Sequence, residues 1–299
     1  MKKVIEIQGI GNIADINVVN NAINNILSEK IQGPGIIDIY NKIFSCIDLT
    51  SLEGSDTWQK IEALCAKALN YQDKKVASIC VYPVFVKSIK EYIANAPTPN
   101  PFSPGERNNG QTYFKVASVA GGFPSGQIPM HIKHLEVKYA LEQGADEIDF
   151  VINQGKFLET DYNYVFDEVA GAKQICKDKL LKVILETGEL LTPENIYKAS
   201  RIVIEAGADF IKTSTGKTSV SATQQAVFIM CCAIREYYNA TGKSIGIKPA
   251  GGISMPSQAV EYYHIINHIL GKNQLQPSLM RFGASRLADK LYDAIKQSI

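Results

Sequence analysis

Two lysines end short apolar runs in this chain. Lys212 lies in Asp209-Phe-Ile-Lys-Thr-Ser-Thr-Gly-Lys217, and Lys248 in Gly246-Ile-Lys-Pro-Ala-Gly-Gly252. Each run is apolar or β-branched up to the amine and polar with glycine beyond it, the pattern of a buried strand ending in a turn. Burying a lone ammonium is costly. Such a lysine is therefore paired, shifted toward its neutral form, or packed by its stem with its head in water. A neutral lysine attacks carbonyl carbons and forms Schiff bases, so the chemistry on offer is imine formation without a metal.

Other polar residues stand at the ends of similar runs: Asp48, Cys80, Asp149 and Glu186. Each has an ordinary structural explanation. Asp48 could cap a turn beside Thr50, Glu186 could be a buried ion-pair partner, and Lys248 could be a strand-end lysine at the surface. Several strands delivering charge into one mouth would be harder to explain that way. If the Lys212 and Lys248 ammonium groups approached to about 4 Å, their repulsion at an effective dielectric of about 20 would be roughly 4 kcal/mol. That is enough to push one of them well down toward neutrality. Alternatively, Glu186 or Asp149 neutralises the pair and the cluster is structural.

Three glycine-bearing turns form a second constellation. Thr215-Gly216-Lys217, Gly251-Gly252 and Gly283-Ala284-Ser285 each follow a strand-like run. Glycine lets backbone N–H groups come close to oxygens, and helix N-termini favour anions, so the three turns together suggest a phosphate site. Any one of them alone could serve only a tight turn.

The elements that must position these residues alternate. Strand-like runs cover 46–50, 76–83, 114–120, 147–153, 181–188, 209–215, 245–252 and 280–285, with centres roughly 27 to 38 residues apart. Between them lie helical patterns such as Asp56 to Tyr71, Ile128 to Glu142, Pro193 to Glu205 and Ala222 to Tyr238. Gly144, Gly207 and Gly242 sit where helix ends would release the chain into the next strand. This is the rhythm of an α/β (β/α)₈ TIM barrel, whose active residues project from the C-terminal strand ends. A doubly wound sheet would favour Gly-x-Gly-x-x-Gly after its first strand, which is not found there.

The predicted organisation is a helical N-terminal extension over 1–43 and a catalytic barrel over 44–299. Within the extension, residues 16–31 look helical. Residues 95–112 carry Pro97, Pro99, Pro101 and Pro104 and are expected to form an exposed loop insertion.

Composition narrows the function classes. The net charge of +1 gives no electrostatic case for nucleic acid or an acidic membrane, and no apolar run is long enough to cross a bilayer. The six cysteines have no C-x-x-C spacing and no secretory signal precedes them, so they read as reduced thiols of a cytoplasmic protein. The pairs His131/His134 and His264/His268 have helical spacing but lack an evident completing carboxylate, apart from Glu261 near the second pair. No metal is expected. Dimers are common among such barrels, so a homodimer is the expected assembly, although no interface is legible.

The motifs around Lys212 and Lys248, with Gly144-Ala-Asp-Glu-Ile-Asp149, resemble the deoxyribose-phosphate aldolase family. Ile79-Cys-Val-Tyr-Pro83, Leu181-Lys-Val-Ile-Leu-Glu-Thr-Gly188, Ile47-Asp-Leu-Thr50 and Arg281-Phe-Gly-Ala-Ser285 add to the resemblance, which runs from about residue 44 to the end. It implies a cofactor-free class I aldolase that reversibly cleaves 2-deoxy-D-ribose 5-phosphate to acetaldehyde and D-glyceraldehyde 3-phosphate. It further implies Lys212 as the Schiff-base lysine, Lys248 as its proton-transfer partner, and Asp149 with a water as general acid/base. Gly216, Lys217, Gly251, Gly252, Gly283 and Ser285 would bind the phosphate, and Asp48, Thr50 and Cys80 would line the substrate site. The chain departs from the family pattern at Arg286, where some members carry a second serine. It also ends Gln297-Ser-Ile299 without the tail tyrosine of some members, its last tyrosine being Tyr292.

Overall fold

The computed structural model describes residues 15–28, 35–71, 74–96 and 114–298. Eight strands run parallel: β1 Ile47–Thr50, β2 Ser78–Val81, β3 Lys115–Ala120, β4 Glu147–Val151, β5 Leu180–Ile184, β6 Phe210–Lys212, β7 Gly246–Lys248 and β8 Phe282–Ala284. Neighbours follow the order β7-β6-β5-β4-β3-β2-β1-β8, and the bridges Ile247↔Met280 and Ala250↔Gly283 join the two ends into a ring. The expected (β/α)₈ barrel is present, with each strand-like run of the sequence overlapping one of its strands.

Parallel strands are covered on both faces, and the side-chain period of two separates those faces. Outward positions Ile79, Ile148, Val183, Ile211 and Ile247 are fully buried against the helical layer. Each such side chain contributes about 1.5–3 kcal/mol by leaving water. The alternate positions turn inward, and several of them carry charge.

Helices α1 Ile16–Ser28 and α2 Gly35–Ser45 precede the first strand. The others are α3 Trp58–Leu69, α4 Val86–Asn95, α5 Met130–Glu142, α6 Gln154–Leu158, α7 Tyr162–Cys176, α8 Pro193–Glu205, α9 Gln224–Thr241, α10 Pro256–Leu270 and α11 Leu287–Lys296. Their starts follow from the sequence. Thr192 Oγ1 accepts from the Asn195 N–H (3.2 Å) and Thr223 Oγ1 from the Ala226 N–H (3.1 Å), capping α8 and α9. Helix α3 starts two residues later than its apolar pattern suggests. The Asp56 carboxylate instead accepts from Ser51 Oγ (2.9 Å) and the Glu53 N–H (3.0 Å), tying down the turn after β1.

Helix α1 buries Val19, Ile23 and Ile26, one stripe at helical spacing, and packs on α9 and α10. Helix α2 buries Ile39, Ile43 and Phe44 against α10 and α11. The rest of the expected extension, residues 1–14 and 29–34, and all but the first two residues of the proline-rich loop expected over 95–112 lie outside the described residues, Asn95 being the last residue of α4. Among the described residues no helix is long and apolar enough to cross a membrane.

Candidate active site

Strand register brings the two signature lysines side by side: Lys212 of β6 pairs with Lys248 of β7. Both turn inward and donate to one oxygen. Asp149 Oδ2, on the inward face of β4, lies 2.8 Å from Lys212 Nζ and 2.7 Å from Lys248 Nζ. The two nitrogens are therefore no more than 5.5 Å apart, the sum of those contacts. The lysines face a common centre, but they do not repel each other bare. A carboxylate, Asp149, stands between them.

That carboxylate belongs to a larger buried network. Lys248 also meets Asp48 Oδ2 at 2.5 Å. Lys182, from the middle of β5, meets Glu147 at 2.7 Å, Asp149 Oδ1 at 2.8 Å and Asp48 at 3.7 Å. Arg281, just before β8, donates to both Glu147 oxygens (2.9 and 2.7 Å) and to Asp48 Oδ1 (2.6 Å). Apart from Lys212 and Arg281, each 2% exposed, these side chains are wholly buried.

Their protonation follows from this wiring. Burial alone would raise the Asp149 carboxyl, but Lys182, Lys212 and Lys248 override it and hold it well below the usual carboxylate range. Asp48 is likewise lowered, burial being outweighed by Lys248, Arg281 and Lys182. Glu147 falls to about 2 against the pull of burial, through Lys182 and Arg281. Burial would discharge Lys248, yet Asp149 and Asp48 raise it above its ordinary value and keep it an ammonium. The Cys80 thiol, 3.7 Å from Asp149 Oδ2, is pushed up to about 11 by burial and by that carboxylate. It is therefore a weak donor to Asp149 and no nucleophile.

Above Lys212 opens a cavity of about 150 Å³ at the C-terminal strand ends. Of the residues expected at the site, Thr50, Lys212, Gly216, Lys217, Gly251, Gly252, Gly283 and Ser285 line it. Asp149, Lys248, Asp48 and Cys80 lie beneath, in the barrel interior, rather than in the mouth. The rim is built of turns that only glycine makes easily: Gly251 and Gly252 both have positive φ (87° and 76°) and both line the cavity.

Glu186 is neither an ion-pair partner nor a wall of this cavity. At φ 56° it accepts from Thr215 Oγ1, from the Thr215 N–H (3.2 Å) and from Thr218 Oγ1 (3.2 Å). Burial raises its carboxyl, and the threonine hydrogen bonds and the Lys212 charge partly offset this. Its effect is to hold the turn that carries Gly216 and Lys217. Lys217 Nζ meets Glu53 Oε1 at 2.9 Å across the cavity mouth. Arg286 also lines the cavity, at the start of α11.

Lys182, Glu147 and Arg281 escape a reading by strand ends. Lys182 interrupts the apolar run Leu180–Ile184 as Lys212 interrupts its own, and Glu147 stands two residues before Asp149, on the same face. The signal was periodicity within the strand rather than position at its end.

Comparison with known proteins agrees with this geometry. A family model described as DeoC/LacD family aldolase matches residues 42–264. A human protein named deoxyribose-phosphate aldolase is 40% identical over 263 residues, covering 82% of this chain and 77% of its own length. A mouse protein of the same name is 39% identical over 263 residues, with the same two shares covered. Among solved structures, the deoxyribose phosphate aldolase of Aeropyrum pernix, described as having a unique tetrameric structure, superposes with a TM-score of 0.64. It is 24% identical, covers 90% of this chain and 100% of its own, and speaks to the fold.

Proposed function

The chain belongs to the DeoC/LacD aldolase family, and we propose that it cleaves 2-deoxy-D-ribose 5-phosphate reversibly to acetaldehyde and D-glyceraldehyde 3-phosphate through an imine on Lys212. The observation that carries this reading is the position of Lys212. It is the one member of the buried charge network that reaches the cavity. The reaction needs no cofactor in this reading, because the protein's own amine supplies the electron sink.

The Lys212 amine adds to the C1 aldehyde, and loss of water leaves an iminium. The C3 hydroxyl then gives up its proton, through a water, to Asp149. The C2–C3 bonding pair moves into the iminium, releasing D-glyceraldehyde 3-phosphate and leaving an enamine. Protonation of the enamine carbon, with Lys248 as the ammonium behind Asp149, and hydrolysis free acetaldehyde and restore Lys212. Asp149 alone is a poor resting base, since its cations hold it ionised. Its proton transfers therefore run in concert with Lys248, which shares its Oδ2.

The phosphate belongs at the rim, on the N–H groups of Gly216, Gly251 and Gly252, with Lys217 and Ser285 beside them. Gly283 contributes room rather than a donor. Thr50 faces the sugar, while Asp48 and Cys80 act from below, on Lys248 and Asp149. Residues 44–299 are the catalytic barrel in this reading, and residues 1–43 an added extension. All six cysteines are free thiols, which supports a cytoplasmic setting.

The test is a product assay. Wild-type protein should release acetaldehyde from 2-deoxy-D-ribose 5-phosphate, and Lys212→Ala should release none above background. A wild type inactive on this sugar but active on a ketose phosphate or keto acid would replace the substrate while keeping the amine chemistry.

A further inference from the structure

Lys182 is a buried cation beside the reacting amine that the proposed chemistry does not use. It comes from the middle of β5, is wholly buried, and is shared among three carboxylates. Asp149 has two oxygens, and Lys182 claims Oδ1 at 2.8 Å. Oδ2 is left to serve Lys212, Lys248 and the Cys80 thiol together.

Charge counting gives this arrangement a consequence. The ion-paired network holds four cations (Lys182, Lys212, Lys248 and Arg281) and three carboxylates (Asp48, Glu147 and Asp149), and the buried Glu186, whose carboxyl burial raises, acts on Lys212 from outside it without an ion pair. Lys115 also reaches Glu147, at 3.3 Å, but is half exposed and screened by water. With every group of the network ionised, one positive charge is in surplus within it. Lys182, Lys248 and Arg281 each touch at least two carboxylates, whereas Lys212 touches only one, which it shares. The surplus is least compensated at Lys212, the amine that opens to the cavity.

Resting on the aldolase reading above, we propose that Lys182 is a positioning residue for imine formation. It turns the Asp149 carboxylate so that Oδ2 faces both lysines, and its charge offsets that of the carboxylates surrounding the Lys212 amine. The charged and titratable groups around Lys182 and Lys212 are Glu147 and Asp149 from β4, Asp48 from β1, Lys248 from β7, Arg281 before β8, the Cys80 thiol from β2, and Glu186 after β5, which acts on Lys212. None of the carboxylates among them can be added or removed without moving the balance at Lys212.

The experiment is borohydride trapping of acetaldehyde on full-length protein across pH, read by the mass of the Lys212 peptide, beside kcat and KM. Lys182→Met should move the onset of trapping upward by about one to two pH units, the effect of a unit charge roughly 7 Å away at an effective dielectric of about 20. At neutral pH kcat should fall at least tenfold and recover as pH rises, with KM within about twofold. Lys182→Arg, which restores the charge, should bring the onset back toward wild type. Glu147→Gln removes a carboxylate from Lys182 and should move the onset downward. It also decides the matter if Lys182→Met does not fold.

A purely structural lysine would lower the active fraction at every pH and leave the onset where it was. An unmoved onset in Lys182→Met, or an unmoved or raised onset in Glu147→Gln, overturns this role while wild-type trapping leaves the aldolase reading intact. No trapping on wild-type Lys212 would remove that reading, and this inference with it.

Discussion

Lys248 reaches Asp149 past a wall that Gly283 leaves bare. A β-carbon at Gly283 would stand 3.2 Å from Lys248 Cε and 2.8 Å from the Ala250 β-carbon. Gly283→Ala should therefore push Lys248 off Asp149 or spread β7 from β8. Overpacking of this kind costs about 1–3 kcal/mol. The denaturant midpoint should drop accordingly, and kcat should fall about tenfold or more. An unchanged kcat would mean that Lys248 has slack which this packing denies.

The buried carboxylates predict acid sensitivity. Glu147 is held near pH 2, well below its unfolded value of about 4.3. A carboxyl depressed in this way contributes stability that is complete above the unfolded value and is lost as pH falls through the folded one. Asp48 and Asp149 shift in the same direction. Unfolding free energy should hold steady from pH 7 to about 5 and decline by on the order of a few kcal/mol toward pH 2. Glu147→Gln should be less stable at pH 7 and show a flatter decline. Urea titrations at stepped pH would check both.

Lys217 is expected to act on binding alone. Its pair with Glu53 at 2.9 Å is largely exposed, and such pairs contribute about 0–1 kcal/mol. Lys217→Ala should therefore leave stability nearly unchanged and raise KM for the phosphorylated sugar at least tenfold. Equal affinity of the wild type for 2-deoxyribose with and without its phosphate would contradict a phosphate site at this rim.

Glu186 separates the rim from the amine. Because its carboxylate holds Thr215 and Thr218, Glu186→Ala should loosen the turn carrying Gly216 and Lys217. Isotherms should show weaker binding of inorganic phosphate, while acetaldehyde still traps on Lys212. Loss of trapping in this variant would mean that Glu186 also supports the lysine.

The barrel was legible because each strand is a short apolar run and the helices carry a 3.6-residue stripe. Pro193 to Glu205 even starts and ends where its Thr192 cap and apolar stripe suggest. Lys212, Lys248 and Asp149 were legible because charge breaking an apolar run is costly and thus conspicuous. The wiring among them was not. Whether Asp149 stands between the lysines depends on β4 and β7 meeting across the barrel, a relation set by ring closure rather than by any local pattern. Glu186 looked like a charge in the mouth, yet a positive φ at that one residue turns it to the neighbouring turn.

Covalent capture tests the central claim most directly. Protein incubated with 2-deoxy-D-ribose 5-phosphate and borohydride should carry a reduced two-carbon or five-carbon adduct, located by peptide mass spectrometry on Lys212 and lost in Lys212→Ala. An adduct on another lysine, or an equal yield without Lys212, would contradict the account.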